Sequence, residues 1–313
     1  MRPSGIAVDR RIPATTRRCL VARIGIQLMM LKEHVRDQGI VPVLERVKET
    51  GFEVVEVSQI PMTEENVAGM EAARTNLGIE VAAISSKTTV PPGSDDLSLA
   101  DDFDLHVEHA RRLGTSMIRI GMMPMTALRS PEAFDDFAAE VDDYAQRLAE
   151  RGISLSYHNH HIEFAKREGT TLLNRLRQQA PHLRFEIDCH WVQRGGQDPE
   201  RTLKDFDGVL DLVHLKDFRI AMPPEEVLDA RDSGDLETFS RFWQGDVVQF
   251  AEVGEGTLDW KPVIEQGIAS GAQHLLIEQD QTYGRDIWES LASSRRHLVS
   301  LGFESLITTG GQR

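Results

Sequence analysis

Cysteine is scarce in this chain. Its 313 residues include only Cys19 and Cys189, too few for a disulfide framework and in keeping with a reducing cytoplasm. Positive charge is also short. The formal net charge is -15, whereas a nucleic-acid-binding surface needs clustered Lys and Arg. No apolar run approaches the roughly 18 residues of a membrane span. Residues 1–20 carry Arg2, Arg10, Arg11, Arg17 and Arg18 with Pro3 and Pro13 but no apolar stretch of signal-peptide length, so they read as a flexible basic tail. The expectation is a cytoplasmic protein with no nucleic-acid or membrane partner. A Gly-rich phosphate fingerprint after the first strand is missing too, which argues against a doubly wound nucleotide-binding sheet.

Hydrophobic residues make up 40% and charged residues 27% of the chain, enough to bury a core and stay soluble. A unit recurs: a short apolar run, an amphipathic stretch, then a Gly. The apolar runs fall at 21–28, 52–58, 78–85, 115–122, 153–160, 183–188, 210–215 and 273–279. Helical spacing marks 41–51 and, most clearly, 137–152. Strands alternating with helices at this interval imply parallel βαβ units. Eight of them predict a single α/β domain, a (β/α)₈ TIM barrel over residues 21–308, with 309–313 as a closing tail. One connection breaks the rhythm. Residues 218–260 far exceed an ordinary loop and predict one or two short helices in a lid or partner surface, with Phe242 and Trp243 as its candidate contacts.

Polar residues gather where the later strands end. The fifth carries His158, His160, His161 and Glu163; the sixth Asp188 and His190; the seventh His214, Lys216 and Asp217; the eighth Glu278 and Asp280. In a parallel barrel these ends share one face. Imidazole with carboxylate suits Zn²⁺, Mn²⁺, Co²⁺ or Fe²⁺ and is poor for Ca²⁺. For a single residue the plain alternatives are a hydrogen-bonded scaffold His or an Asp that caps a helix. Four neighbouring strands ending this way favour a metal site. Alternation sets Tyr157, Asn159 and His161 opposite to His158 and His160, so only one pair reaches the mouth.

The segments "YHNHHIEF", "IDCHWVQRGGQDP", "VHLKDF", "EVGEGTLDW" and "LLIEQDQT" resemble those of the xylose isomerase-like TIM barrel superfamily, the sugar phosphate isomerases/epimerases. The likeness spans about residues 21–308. It implies a metal set in which Asp188, His214 and Glu278 match the usual last three ligands, while His158 stands where the family has a Glu. The 26-residue step from Asp188 to His214 is similar to that of ketose 3-epimerases. The His in "YHNH" and the "HLKD" segment resemble inosose dehydratases. The epimerases have a His where this chain has Trp191. With one of the two shuttle glutamates replaced, Glu163 is the candidate for a displaced partner.

The implied chemistry is proton abstraction next to a metal-polarised carbonyl of a keto-sugar or polyol, through an enediolate. His160 and Glu278 are the candidate bases and Lys216 stabilises the oxyanion or protonates a leaving hydroxyl. His190, Trp191, Glu163 and Trp243 are expected to bind substrate, and Mn²⁺ is the first choice of metal. Dehydratase or lyase action shares the intermediate, including β-elimination from a 3-keto-glycoside. A metal-free binding subunit is the rival of another class, and an apurinic endonuclease is disfavoured by the acidic charge. The expected partner is a small carbohydrate, with a homo-oligomer or a small partner subunit as a further expectation. "RGG" at 194–196 is no more than a weak anion site, so a phosphate on the substrate is not implied.

Overall fold

A computed structural model describes residues 22–308 apart from residue 95. The basic tail expected over 1–20 and the closing tail 309–313 lie outside the described residues. Eight parallel strands close into a barrel: β1 (Arg23–Gln27), β2 (Val54–Val57), β3 (Glu80–Ser86), β4 (Met117–Ile120), β5 (Ser154–His158), β6 (Arg184–Asp188), β7 (Leu210–Leu215) and β8 (His274–Ile277). Each pairs with the next, and β8 closes on β1 in register from Arg23↔His274 to Ile26↔Ile277. All eight expected strands are present. At Gly25 the neighbouring strand approaches so closely that a Cβ would stand 2.3 Å from the Val54 carbonyl oxygen, which leaves room for glycine alone.

Helices lie between the strands and cover the barrel. The stretch read over 41–51 is the helix Ile40–Glu49. The one read over 137–152 runs Pro131–Ala149, starting earlier because Ser130 caps it through Ala133 N and Pro131 fits the first turn. Its buried face, including Phe134, Phe137, Val141 and Leu148, packs onto the sheet. Among the described residues no helix is long and apolar enough to cross a membrane.

Inside the barrel, polarity rises along the axis. Val54, Met117, Leu212 and Leu276 belong to a small apolar cluster. Two residues further along the same strands stand Glu56, Arg119, His214 and Glu278, which the period of two points to the same side. An apolar layer therefore lies beneath the ionisable side chains that meet at the C-terminal end of the strands.

The long connection folds as an antiparallel hairpin, Asp217–Ile220 with Val248–Ala251. Between its arms are helices Glu225–Ser233 and Leu236–Arg241 and a wide turn at Phe242–Asp246. The two short helices were expected; the hairpin was not legible, because its arms are only four residues each.

Candidate metal centre

His158, Asp188, His214 and Glu278 meet at the barrel mouth. Each offers a donor atom, all four within 4.8 Å of one another, and all four residues are buried. They come from β5, β6, β7 and the residue just after β8. Asp188 divides its carboxylate between two duties. Oδ1 accepts from Trp191 N at 2.9 Å and caps the helix Cys189–Arg194, while Oδ2 has no hydrogen-bond partner. His158 Nδ1, His214 Nδ1 and Glu278 Oε2 are equally buried and unpartnered. His214 Nδ1 and Glu278 Oε2 approach to 2.6 Å without the alignment of a hydrogen bond.

Under this cluster lies a charged floor that the sequence reading missed. Arg119 Nε donates to Glu56 Oε1 at 2.6 Å and stands 3.2 Å from Glu186 Oε2. His214 Nε2 faces Glu56 Oε2 at 3.0 Å and Glu186 Oε1 at 3.1 Å, while His158 Nδ1 is 3.2 Å from Glu186 Oε2. Glu56 orients the His214 imidazole as second-row partners orient metal-binding histidines, whereas the approach of Glu186 to His158 is not a hydrogen bond. Glu56, Glu186 and His214 could form a cation site themselves, but the Arg119 guanidinium already answers the two carboxylates. The signal in the sequence was a lone charge inside an apolar strand, Glu56 in "VVEV" and Arg119 in "MIRI", whereas Glu186 shares "RFEID" with Arg184 and Asp188.

The chemistry of the donor set suits a cation. Four buried carboxylates, Glu56, Glu186, Asp188 and Glu278, face two buried cations, Arg119 and Lys216. Burial alone would lower His214, yet Glu186, Glu56 and Glu278 hold it well above the ordinary imidazole value. That point in the molecule therefore demands positive charge. Burial would raise Glu278 and Glu186, but Lys216 and His214 hold the first well below the carboxylate range, and His214 and Arg119 hold the second at about 2. Asp188 is pushed up by burial. A mixed set of two imidazoles and two carboxylates suits a borderline divalent ion.

Lys216 is buried beside the cluster. Its ammonium lies 2.7 Å from Asp280 Oδ1 and 3.5 Å from Glu278 Oε2, between the rings of Trp191 and Phe250 at 5.0 and 5.2 Å. Burial opposes its charge, but Glu278, Asp188 and Asp280 raise it, so it stays protonated. His160 lies 4.9 Å from the His158 ring and is neutral, lowered to about 2 by burial and by His158.

A cavity of about 1460 Å³ opens above, and His158, His160, Lys216, Glu278 and Asp280 reach its wall. Of the four residues expected to bind substrate, His190 and Trp191 pack behind Lys216 and His160, while Glu163 and Trp243 stand further off. Glu163 is fully buried: Tyr157 Oη donates to Oε1 at 2.6 Å and His160 N to Oε2 at 2.8 Å. It pins the loop after β5 and is no displaced shuttle glutamate. His190, lowered to about 3 by burial and by Lys216, stacks on Phe250 at 4.9 Å. Together with Trp191 it forms the wall behind Lys216. Trp243 is half exposed and touches Phe239 and Phe242, away from the cavity. Phe242, offered as a contact, is buried within the insertion. The long connection reaches the centre through Phe250 on its returning arm. Asp217 faces away as well. It accepts from Gly254 N, Gly256 N and Thr257 N at 3.0–3.2 Å and from Trp260 Nε1 at 2.7 Å, tying "VHLKDF" to "EVGEGTLDW".

Fold and site together define a (β/α)₈ barrel with a candidate metal centre at the C-terminal ends of its later strands. The chain belongs to the xylose isomerase-like TIM barrel family, whose model matches residues 44–293. Among solved structures it is similar to a sugar phosphate isomerase/epimerase from Parabacteroides distasonis at 17% identity, covering 95% of this chain and 100% of that one with a TM-score of 0.63. It is also similar to the probable 3-DHS dehydratase of petrobactin synthesis from Bacillus anthracis, at 14% identity, 88% and 98% coverage and a TM-score of 0.64. A third is a 3-keto-D-glucoside 4-epimerase from E. coli, at 17% identity, 89% and 99% coverage and a TM-score of 0.62. At these identities the likeness carries the fold. None of the curated proteins matches this chain in sequence.

Proposed function

We propose that this chain is a divalent-metal-dependent isomerase or epimerase of a keto-sugar or polyol, with His158, Asp188, His214 and Glu278 holding the ion. The observation that carries the reading is the buried four-donor cluster opening onto a cavity with a charged lysine at its side. A bound Mn²⁺, Co²⁺, Zn²⁺ or Fe²⁺ supplies Lewis acidity toward the substrate's carbonyl or vicinal hydroxyl.

The side chains supply the rest. His160 stands at the cavity wall as the candidate proton acceptor, a role that needs the developing enediolate charge beside it to restore the basicity that burial and His158 remove. Glu278, held ionised by Lys216 and His214, is the second base. The Lys216 ammonium, fixed by Asp280 and two rings, stabilises the negative charge of the enediolate. Returning the proton from the other side of the plane gives the epimer, and returning it to the adjacent carbon gives the isomer.

One observation favours a second outcome. Glu163 is locked in the β5 loop, so a second shuttle glutamate is lacking there, whereas Lys216 with Asp280 forms an acid next to Glu278. That asymmetry suits loss of a β-hydroxyl or β-glycosyl group. The E. coli neighbour acts, by its description, on a 3-keto-glucoside, which makes such sugars suitable trial substrates.

The test is to incubate Mn²⁺-loaded protein with ketoses, inososes and 3-keto-glycosides in D₂O. Deuterium should enter the carbon next to the carbonyl, with or without net turnover. If the protein holds its ion and no compound exchanges, the enzyme reading fails.

A further inference from the structure

The cavity is larger than the roughly 300–1,000 Å³ of ordinary small-molecule sites, and the residues around the metal centre occupy only part of its wall. The part across the barrel is built on β2 and β3, which stand opposite β6 and β7 in the closed strand order. Val57 pairs with Ile84, and Ser85 pairs with Arg119, so Ser58 and Ser85 end neighbouring strands side by side. By the period of two they share the inward side with Glu56 and Arg119 of the charged floor. Ser58, Ser85 and, just beyond β3, Thr88 all line the cavity.

None of these three hydroxyls has a hydrogen-bond partner among the described residues. They are sheltered all the same: Ser58 is 7% and Thr88 4% exposed, and Ser85 Oγ is buried. Sheltered polar groups ordinarily find partners, and one step about χ1 turns each of these hydroxyls to a new direction. Ser86 next to them is already committed, with Oγ 3.0 Å from His106 Nε2 and donating to the Lys87 carbonyl at 3.2 Å. The charges on this wall cancel. Lys87 pairs with Asp96, and Lys32, which donates to Gln59 Oε1 at 2.7 Å, adjoins Glu33. A phosphate or carboxylate therefore meets no net positive field there. An uncharged hydroxyl meets three groups that each donate and accept.

We infer that Ser58, Ser85 and Thr88 form a hydroxyl-binding subsite across the mouth from the metal centre, which the substrate reaches with an uncharged second sugar ring. This rests on the reading of the metal centre as the place that holds the reacting keto-sugar, and it goes beyond that reading by fixing the chemistry of the group the sugar carries. The reacting ring is held by the metal side, and the second ring by hydroxyls that form no bond within the protein.

The experiment compares three probes on Mn²⁺-loaded protein by calorimetry: 3-keto-glucosides whose aglycone is methyl, glucosyl or glucosyl 6-phosphate. The glucosyl probe should bind about 10-fold tighter than the methyl probe, and the added phosphate should bring no further gain. Ser58→Ala/Ser85→Ala removes both strand-end hydroxyls without breaking a hydrogen bond of the protein. Its Tm and metal content should therefore match the parent, while the preference for glucosyl over methyl falls to about 3-fold or less. A preference near one in the parent, an unchanged preference in the double variant, tightest binding of the phosphorylated probe, or binding of no probe overturns the subsite. If the preference behaves as expected but no deuterium enters any probe, the subsite stands and the enzyme reading fails, so the two failures are distinguishable.

Discussion

Replacing His158 with Ala is the sharpest perturbation of the centre, because this residue stands where relatives are expected to carry a glutamate. The variant should still fold. Glu186, the carboxylate facing His158, keeps His214 at 3.1 Å and Arg119 at 3.2 Å. Losing even an orienting partner of a ligand costs about 10–100-fold in metal affinity, so losing one of four donors should cost at least this, about 1.4–2.7 kcal/mol. Mn²⁺ at about 100 times the parent Kd stabilises the fold by about 2.7 kcal/mol. At roughly 2–4 °C per kcal/mol this raises the Tm by about 5–10 °C. In the variant the same concentration is only about 1–10 times Kd, leaving about 0.4–1.4 kcal/mol and a rise of about 1–5 °C. Thermal melts with and without Mn²⁺, beside elemental analysis, measure this directly. His160→Ala is the companion, expected to keep the parent response and lose rate by about 10²-fold or more. If His158→Ala keeps the full metal response while His160→Ala loses it, the assignment along β5 is wrong by two residues.

Three further outcomes follow from separate features. Lys216→Met should retain metal yet turn over substrate about 10²-fold or more slowly, since the charge that stabilises the enediolate is gone; parent-like kinetics would remove Lys216 from the chemistry. Asp217→Ala strips one carboxylate from five backbone donors and the Trp260 indole, so urea melts should show a loss of about 3–5 kcal/mol, and a loss under about 1 kcal/mol would refute the anchor role. His106, buried and bonded to Ser86 Oγ at 3.0 Å, is lowered to about 4 by burial and by His109. The unfolded chain therefore protonates first as pH falls below about 6.5, and stability is lost down to about pH 4, by about 3 kcal/mol for this group. His106→Gln should lack that share when denaturant curves at pH 7 and pH 4.5 are compared, and an unchanged pH slope would refute it.

The barrel was legible because each strand is a compact run of apolar residues set off by a helix of plain amphipathic spacing and a Gly stop. Such signals are local, and burial on both faces of a parallel strand reinforces them. The hairpin Asp217–Ile220 with Val248–Ala251 escaped for the opposite reason. Its partners are separated by two helices, and its residues, Ile220 among them, are partly exposed. Nothing within "DFRI" or "VQFA" says that one will find the other. The start of Pro131–Ala149 was read late because the cap at Ser130 lies before the first strongly periodic residues.

At the mouth, legibility followed the same divide between local and distant signals. The four clustered side chains each end an apolar run, so one pass along the chain finds them, and alternation sorts them further. His158 and His160 share one side of the β5 end, while Tyr157 turns to Phe137 outside the barrel at 6.1 Å. The same rule, carried one residue further along β7, separates Lys216 from Asp217. Lys216 shares a side with His214 and reaches Glu278; Asp217 faces the opposite way and anchors "EVGEGTLDW". Spacing alone could thus have withdrawn Asp217 from the mouth. No comparable rule applies to Glu163 or Phe250. Their roles depend on where loops fold back, and Glu163 was resolved only by the Tyr157 hydroxyl. It follows that ligand sets at strand ends can be read from a single barrel sequence, whereas walls built from loops cannot.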